Sequence, residues 1–475
     1  MSSFAADHTV KQPGEWWLLA LTSLGFFMSM MDSMIVSTAS TAIRNDFSVS
    51  LAQLQWVLNA YNITIAALLL VGVAYGAHIG RRNMYVIGLL VFTAGSACAA
   101  LSPDFSLLVG SRVVQGVGAS VMTPMSMAIL SASVPAERRG RALGIWSAVG
   151  GLALIAGPSL GGLIVATMSW QWIFWINIPI GLATAYLALK KLPFDSGNAM
   201  RPNPLDAALI VIAPAAFVYA LSQSTSGTPD MLTLAIGVFG IICAIAFTAL
   251  QRIRRNPLVP LHMFRSRMFN IGAIGTFLLY AAMYGTVFFL PQFLQLAQGA
   301  NALTAGLEIL PWTGTLVVVS PFAGKMADTY GERIVALVGF ILQTAGYGWI
   351  AFASHADTSY ATTAIALAVC GAGISMAGPA LQKAMLGSVD RKYITNASGV
   401  FNISRQLGGA VGTAISVMVF YQFGTALSRS TFTQGFTAVM TASALTCLIS
   451  GTATLWMNVR KSISKQHRKT LASPR

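Results

Sequence analysis

Apolar stretches of about 20 residues recur along this chain, and that is the length one α-helix needs to cross the hydrocarbon of a bilayer. They fall at roughly 16–38, 55–76, 84–102, 107–130, 142–166, 172–190, 205–223, 232–250, 269–292, 303–323, 334–353, 360–381, 399–422 and 433–457, fourteen in all. Only 9% of the 475 residues are charged and 55% are hydrophobic, against about 25% charged in soluble domains. A soluble fold has no interior large enough to hide such a surface, so the bilayer itself is the solvent. In lipid every backbone group must be satisfied within the protein, and stretches of this length do so as helices. The fold class expected is all-α integral membrane, with fourteen transmembrane helices.

Positive charge tests that count. With both ends on the cytoplasmic side, all but four of the 29 Lys and Arg residues fall in cytoplasmic segments. The exceptions are Arg44 and Arg429 in outer loops and Arg112 and Arg405 within spans. A miscounted span would invert everything after it and scramble this bias, so the asymmetry supports a multi-pass chain with N-in and C-in ends. The net charge of +15 resides in short loops without interleaved aromatics, which argues against a nucleic-acid partner. No small-residue cleavage site follows the first span, so no removable signal peptide is expected. Cys98, Cys243, Cys370 and Cys447 stand singly in apolar stretches, and the five histidines fall in loops or tails. Neither set has metal-ligand spacing, so no metal and no cofactor are expected. There is no P-loop, no H-E-x-x-H and no G-x-S-x-G, which excludes ATP-driven pumping and leaves an enzyme without machinery.

The chain also repeats itself. After the second span it reads Gly76-Ala77-His78-Ile79-Gly80-Arg81-Arg82, and after the tenth Gly324-Lys325-Met326-Ala327-Asp328-Thr329-Tyr330-Gly331-Glu332-Arg333. Both are tight turns built on Gly and closed by Arg, 251 residues apart between Gly80 and Gly331. The spans then divide into an N-terminal six-helix bundle (1–191), an inserted helix pair with its linkers (192–267), a C-terminal six-helix bundle (268–458) and a basic tail (459–475). Parallel repeats suit a carrier that rocks about a site between its halves.

Several residues inside the spans have no use in a lipid-facing scaffold. Asp32 lies about two-thirds of the way outward in the first span, with Gly25, Ser29 and Val36 on its face and Met28, Met30, Met31 and Met34 around it. An acid kept from water can hold a proton and exchange it for cargo; the alternative is a packing Asp bonded to a neighbour's backbone. Glu308 sits near the outer end of the tenth span with Trp312 one turn along and Pro311 beside it. An acid and an aromatic face suit a lipophilic cation, although an interfacial Glu with a belt Trp has the same signature. Arg112 shares a helix face with Gln115, Gly116 and Ala119. Arg405, in Arg405-Gln406-Leu407-Gly408-Gly409, reads as a snorkelling residue, and Asp206 as an interfacial cap. The run Gly150-Gly151, Gly157-Pro158-Ser159-Leu160-Gly161-Gly162 allows close helix approach and a weakened hydrogen-bond ladder.

Taken together these segments resemble the major facilitator superfamily, specifically its fourteen-helix drug:proton antiporters, over nearly the whole chain. Gly324 to Arg333 is similar to the family's loop signature G-x-L-A-D-R-x-G-x-R, with Asp328 and Gly331 in register. Leu108, Arg112, Gln115-Gly116 and Gly118 resemble its fourth-helix signature, and Gly157-Pro158 with Gly161-Gly162 its exporter motif. Met31-Asp32-Ser33-Met34-Ile35-Val36 and Trp170 to Gly181 resemble the fourteen-helix branch. The resemblance implies a major facilitator fold of two six-helix bundles plus two inserted helices in a bacterial cytoplasmic membrane. It implies proton-coupled efflux of lipophilic or cationic drugs, hence antibiotic resistance. Asp32 and Arg112 would carry proton coupling, with Glu308, Trp312, Asp32 and Met28 on the substrate. Gly157, Pro158, Gly161, Gly162 and the two turns (Gly80, Arg81, Gly324, Asp328, Gly331, Arg333) would serve gating. The first turn departs from the signature: Val73, Ala77 and His78 stand where the family has Gly, Asp and Arg, and Gln171 replaces another Arg. A charge lock is therefore expected only at the C-terminal turn, with the N-terminal one gating more loosely. A carrier of the same fold for another small molecule, a metabolite exporter or nutrient importer, remains the alternative.

Overall fold

Helices make up almost all of what the computed structural model describes, namely residues 15–134, 136–195, 197, 203–223, 230–254, 257–354, 359–390 and 393–457. Lys11, Arg201 and the basic tail 459–475 lie outside the described residues. In chain order the helices are α1 (Glu15–Phe47), α2 (Leu51–Ile79), α3 (Arg81–Ala100), α4 (Phe105–Ser133), α5 (Ala136–Thr167), α6 (Trp172–Trp175), α7 (Asn177–Lys191), α8 (Pro204–Gln223), α9 (Met231–Ile253), α10 (Arg267–Gln292), α11 (Ala302–Glu308), α12 (Leu310–Thr329), α13 (Glu332–Ala353), α14 (Tyr360–Gly387), α15 (Ile394–Phe423) and α16 (Arg429–Thr454). Thirteen segments among the described residues are long and apolar enough to cross a membrane.

Local chemistry sets the boundaries. Ser50 caps α2 in a reciprocal capping box with Gln53, and Asp104, Asp230 and Asn301 accept a backbone N–H at the starts of α4, α9 and α11; each satisfies an orphan donor of a first turn. Two of the expected spans lose a hydrogen bond at a proline, although each remains one segment long enough to cross a membrane, Trp172–Lys191 and Ala302–Ser320. Pro179 has no N–H to offer the Trp175 carbonyl, and α6 ends there; Pro311 likewise leaves Leu307 without its donor, and α11 gives way to α12 at Ile309. The first span also runs much further than 16–38. Asp32 is therefore near the middle of a 33-residue helix, not two-thirds outward.

The repeat extends into packing. Gly80 and Gly331 both turn the chain at positive φ, +100° and +86°, a conformation that favours glycine. At the same 251-residue offset, Gly88 and Gly95 of α3 clasp α4 while Gly339 and Gly346 of α13 clasp α14. A Cβ on Gly95 would lie 2.7 Å from the Gln115 nitrogen, and one on Gly346 would lie 2.4 Å from the Cys370 sulfur. Helices α8 and α9 pack on each other, tied by Arg254 to Asp206 at 3.4 Å. Asp206 is thus an ion-pair partner within this pair. Val218 of α8 joins Ile63 of α2 and Ala410 and Ala414 of α15 in one apolar cluster, so α8 lies beside the crossing of α2 and α15.

Hydrogen bonds tie the N- and C-terminal helices together at the end remote from Gly80 and Gly331. Ser37 Oγ donates to the Val287 carbonyl, Gln295 Nε2 to the Thr38 carbonyl at 3.4 Å, and Leu51 N–H to the Tyr421 hydroxyl at 3.2 Å.

Candidate functional site

Mid-way along α1, the Asp32 carboxylate is fully buried against α4, and both of its oxygens are held. Arg112 Nη1 donates to Oδ2 at 2.5 Å, and Gln115 Nε2 to Oδ1 at 3.2 Å. The guanidinium has further partners: Nη1 donates to Gln115 Oε1 at 2.6 Å and Nε to the Val57 carbonyl at 2.9 Å. Tyr61 lies beneath it, its ring centre 4.3 Å from Cζ, and the Tyr61 hydroxyl donates to the Ser29 carbonyl at 3.1 Å. Gln115 also donates to Ser96 Oγ at 2.7 Å. Helical spacing explains the assembly. Arg112 and Gln115 are three residues apart on one face of α4, and Ser29 and Asp32 three apart on α1. An ion pair deprived of water is stable only when its other hydrogen-bonding positions are filled. Here backbone and amide groups do so, save Arg112 Nη2, which has no partner among the described residues.

Ser33 follows Asp32 one-third of a turn on and faces the other half of the molecule. Tyr284 of α10 brings its hydroxyl within reach of the Ser33 side chain and 3.5 Å from Gln406 Oε1 of α15. Gly409 makes room for that ring, since a Cβ there would lie 2.8 Å from Tyr284 Cδ2. Arg405 sits one residue from Gln406, its Cζ 5.8 Å from the Tyr280 ring centre and its buried Nε without a partner. The segment Arg405 to Gly409 thus assembles a second polar centre, which a reading of Arg405 as a snorkelling residue passes over. Along α2, Gln55, Asn59 and Asn62 form a buried stripe at i, i+4 and i+7. Gln55 Oε1 and both amide atoms of Asn59 and Asn62 lack partners among the described residues. Amides at helical spacing in an apolar span are the sequence signal of this stripe.

The glycine run of α5 works on two faces. Gly157 and Gly161 lie against α1, at Met34 and Ile35, where a Cβ would come within 2.5 and 2.9 Å. Gly162 and the Pro158 carbonyl lie against α11: a Cβ on Gly162 would stand 2.5 Å from the Ala302 carbonyl, and one on Gly306 would stand 2.3 Å from that of Pro158. The motif therefore seats α5 between the two halves.

The structure separates other candidates from this centre. Met28 is buried and packs toward Gly181 of α7. Glu308 ends α11, where its backbone carbonyl accepts from Tyr360 Oη of α14 at 3.3 Å. Its Oε2 and the Trp312 Nε1 have no partner among the described residues.

The two turns also differ from expectation. The N-terminal turn has a lock, supplied from beyond α7. Asp195 pairs with Arg81 at 3.8 Å and accepts from the Arg82 backbone N–H at 3.3 Å. Arg82 donates to the Leu189 carbonyl at 3.3 Å and covers the Phe194 ring. A charge pair is therefore present at this turn too, where one was expected only at the C-terminal turn. At the other turn Asp328 pairs with Lys383 of α14 at 2.7 Å, and Lys383 reaches Glu332 at 3.3 Å. Gly324 has no neighbour that a Cβ would meet, and Arg333 follows Gly331 in the first turn of α13.

A family model described as "Major Facilitator Superfamily" matches residues 22–413 and 272–472. The chain is 30% identical to "Multidrug resistance protein Stp" of Mycobacterium tuberculosis over 84% of its own length and 74% of that protein's. It is 28% identical to "Riboflavin transporter RibZ" of Clostridioides difficile over 86% and 89% respectively. Its fold matches that of a bacterial homologue of the human lysosomal transporter Spinster, in an inward-facing, unoccupied conformation, with a TM-score of 0.66 and 16% identity over 93% of this chain and 96% of that one.

Proposed function

Because the chain belongs to the Major Facilitator Superfamily, and so is a multi-pass membrane transporter and not an enzyme, we propose that it exports lipophilic small molecules in exchange for protons by alternating access. Counting α2, 29 residues long, with the thirteen other apolar segments gives fourteen crossings. We read these as bundles 1–191 and 268–458 around the inserted pair 192–267, in a bacterial cytoplasmic membrane with N-in and C-in ends. The bacterial relatives and the basic character of the Gly80 and Gly331 end support that orientation. In it, the end at which Ser37, Thr38 and Leu51 bond across the halves faces outward.

The observation that carries this reading is the buried Asp32–Arg112 pair. A proton arriving at Asp32 Oδ2 neutralises the carboxylate that Arg112 faces. The guanidinium then keeps the Val57 carbonyl and Gln115 Oε1 as acceptors, so neither protonation state strands it. The two states differ in how firmly α1 is held to α4, and α1 also packs against α5 and α10. Protonation at one residue thereby biases the interface at which the halves rock. One proton moving down ~100 mV releases about 2.3 kcal/mol, enough for a gradient of roughly fifty-fold. The identity to a multidrug resistance protein supports export; the identity to a riboflavin transporter favours, as a second reading, a carrier of one metabolite.

In inside-out vesicles, Asp32→Asn is expected to abolish uphill transport and substrate-dependent proton release while leaving the protein folded. Wild-type export of every tested substrate by the variant overturns the assignment. Glu308→Gln is expected to impair divalent cations more than monovalent ones if Glu308 meets cargo. Equal losses assign it to packing.

A further inference from the structure

Within the spans two guanidinium groups, Arg112 and Arg405, stand against two carboxylates, Asp32 and Glu308. Among the described residues only Asp32 and Glu308 bring a carboxylate to the middle or outer part of a span, and Asp32 is already neutralised by Arg112. Glu308 lies at the α11–α14 contact. Arg405 adds a second guanidinium with an unpartnered Nε. At the level of the Asp32–Arg112 pair a permanent cation finds no free carboxylate, because Asp32 is paired and Glu308 lies away at the α11–α14 contact.

What the centre offers instead is neutral hydrogen bonding. On α2, the Val57 carbonyl, Tyr61 and Thr64 lie against α4. Gln55, Asn59 and Asn62 lie on the opposite side of the helix, beside Ile63, which packs on α15. Asn59 falls between Val57 and Tyr61 and is therefore level with the Asp32–Arg112 pair. Its two amide atoms, those of Asn62 and Gln55 Oε1 are buried without partners among the described residues. An unpaired buried polar group costs roughly 1–3 kcal/mol, so five on one stripe imply an absent partner. The hydroxyl and amide of Tyr284 and Gln406 belong to the same middle layer, through Ser33.

Resting on the export reading above, we propose that the α2 amide stripe, with Tyr284 and Gln406, is the recognition surface for cargo. It selects uncharged or weakly acidic molecules rich in carbonyl, amide and hydroxyl groups over permanent cations. Bound cargo supplies the hydrogen bonds that the stripe lacks, and Arg112 and Arg405 tolerate partial negative charge on it.

The test uses purified full-length protein in proteoliposomes under an imposed pH gradient, with chloramphenicol as the neutral probe and tetraphenylphosphonium as the cation. Chloramphenicol is expected to accumulate uphill with kcat/KM at least about tenfold above that of tetraphenylphosphonium. Asn59→Leu and Asn62→Leu are each expected to raise the chloramphenicol KM about tenfold, one lost hydrogen bond, with thermal stability unchanged or raised because an orphan amide is removed. Asn59→Thr, which keeps a hydroxyl, should restore part of the affinity. Uphill accumulation of tetraphenylphosphonium alone leaves export standing and overturns the proposed selectivity, as does wild-type chloramphenicol transport by both Leu variants. Accumulation of neither probe overturns the export reading and the site together.

Discussion

The two halves of this molecule share a scaffold, and among the described residues only the N-terminal one carries a fully buried ion pair. Gly88 and Gly95 clasp α3 to α4 as Gly339 and Gly346 clasp α13 to α14. Yet where α4 presents Gln115 to Gly95, α14 presents Cys370 to Gly346. Three residues earlier, Arg112 in one half corresponds to Leu367 in the other, and the 251-residue offset sets Met283 against Asp32. Leu367, Cys370 and Met283 are all buried, like their counterparts. The same helix packing is therefore built without an ion pair, so stability does not explain why the N-terminal half keeps one. Replacing a buried pair by apolar residues is commonly neutral or stabilising, while breaking it from one side is not.

That difference gives the largest expected effect. Arg112→Leu alone strands a buried carboxylate and is expected to cost about 3–5 kcal/mol, read as a large fall in thermal midpoint of the purified protein. Asp32→Met with Arg112→Leu gives the N-terminal half the chemistry of the C-terminal one. Stability is then expected to recover while uphill transport stays at zero. A double variant as unstable as the single one would mean that the pair is structural, and the comparison between halves would lose its functional content.

The contact between halves is the next test. Gly306 admits the Pro158 carbonyl, and a Cβ there would overlap it. Gly306→Val is expected to weaken this contact between the halves by about 1–3 kcal/mol, the usual cost of overpacking. It should make a cysteine placed at Ser37, beside Val287, more reactive to a membrane-impermeant reagent. Gly348→Ala within the C-terminal half, where a Cβ meets nothing within 4 Å, should leave that reactivity unchanged.

How much of this the sequence disclosed follows the range of the interactions involved. Helix positions and the repeat were legible because hydropathy and glycine turns are local. So were Asp32 and Arg112 as anomalies, since charge at membrane depth marks itself. Their meeting across 80 residues of chain depends on which faces of α1 and α4 pack, and spacing within one helix does not say that. The turn at Ile309 was available from Pro311, but periodicity across the span outweighed it. Asp195 carried no local sign at all: it reaches the turn of Gly80 to Arg82 only because α7 returns the chain to that end. The amide stripe of α2 was hidden for the opposite reason, since uncharged residues barely lower the hydropathy of a span.

The two turns give the smallest effect and separate the halves once more. Both locks are solvent-accessible ion pairs, Arg81–Asp195 with about 45% and 42% of each side chain exposed and Lys383–Asp328 with 39% and 73%. Such pairs contribute about 0.2–1 kcal/mol and weaken as salt is raised. They are not equivalent, however. Lys383 holds Asp328, Glu332 and the Ala327 carbonyl by charge-assisted bonds from one ammonium group, so Lys383→Met removes all three together. Asp195 also accepts from a backbone N–H, a bond that Asp195→Asn can retain. Raising ionic strength from 0.05 to roughly 0.5 M should therefore narrow the difference between wild type and Lys383→Met in transport rate. Asp195→Asn should differ little from wild type at either salt, and Asp195→Ala should be slower at both. An Asn variant as impaired as the Ala variant would mean that the N-terminal turn is held by charge alone, and the two locks would then be the same device.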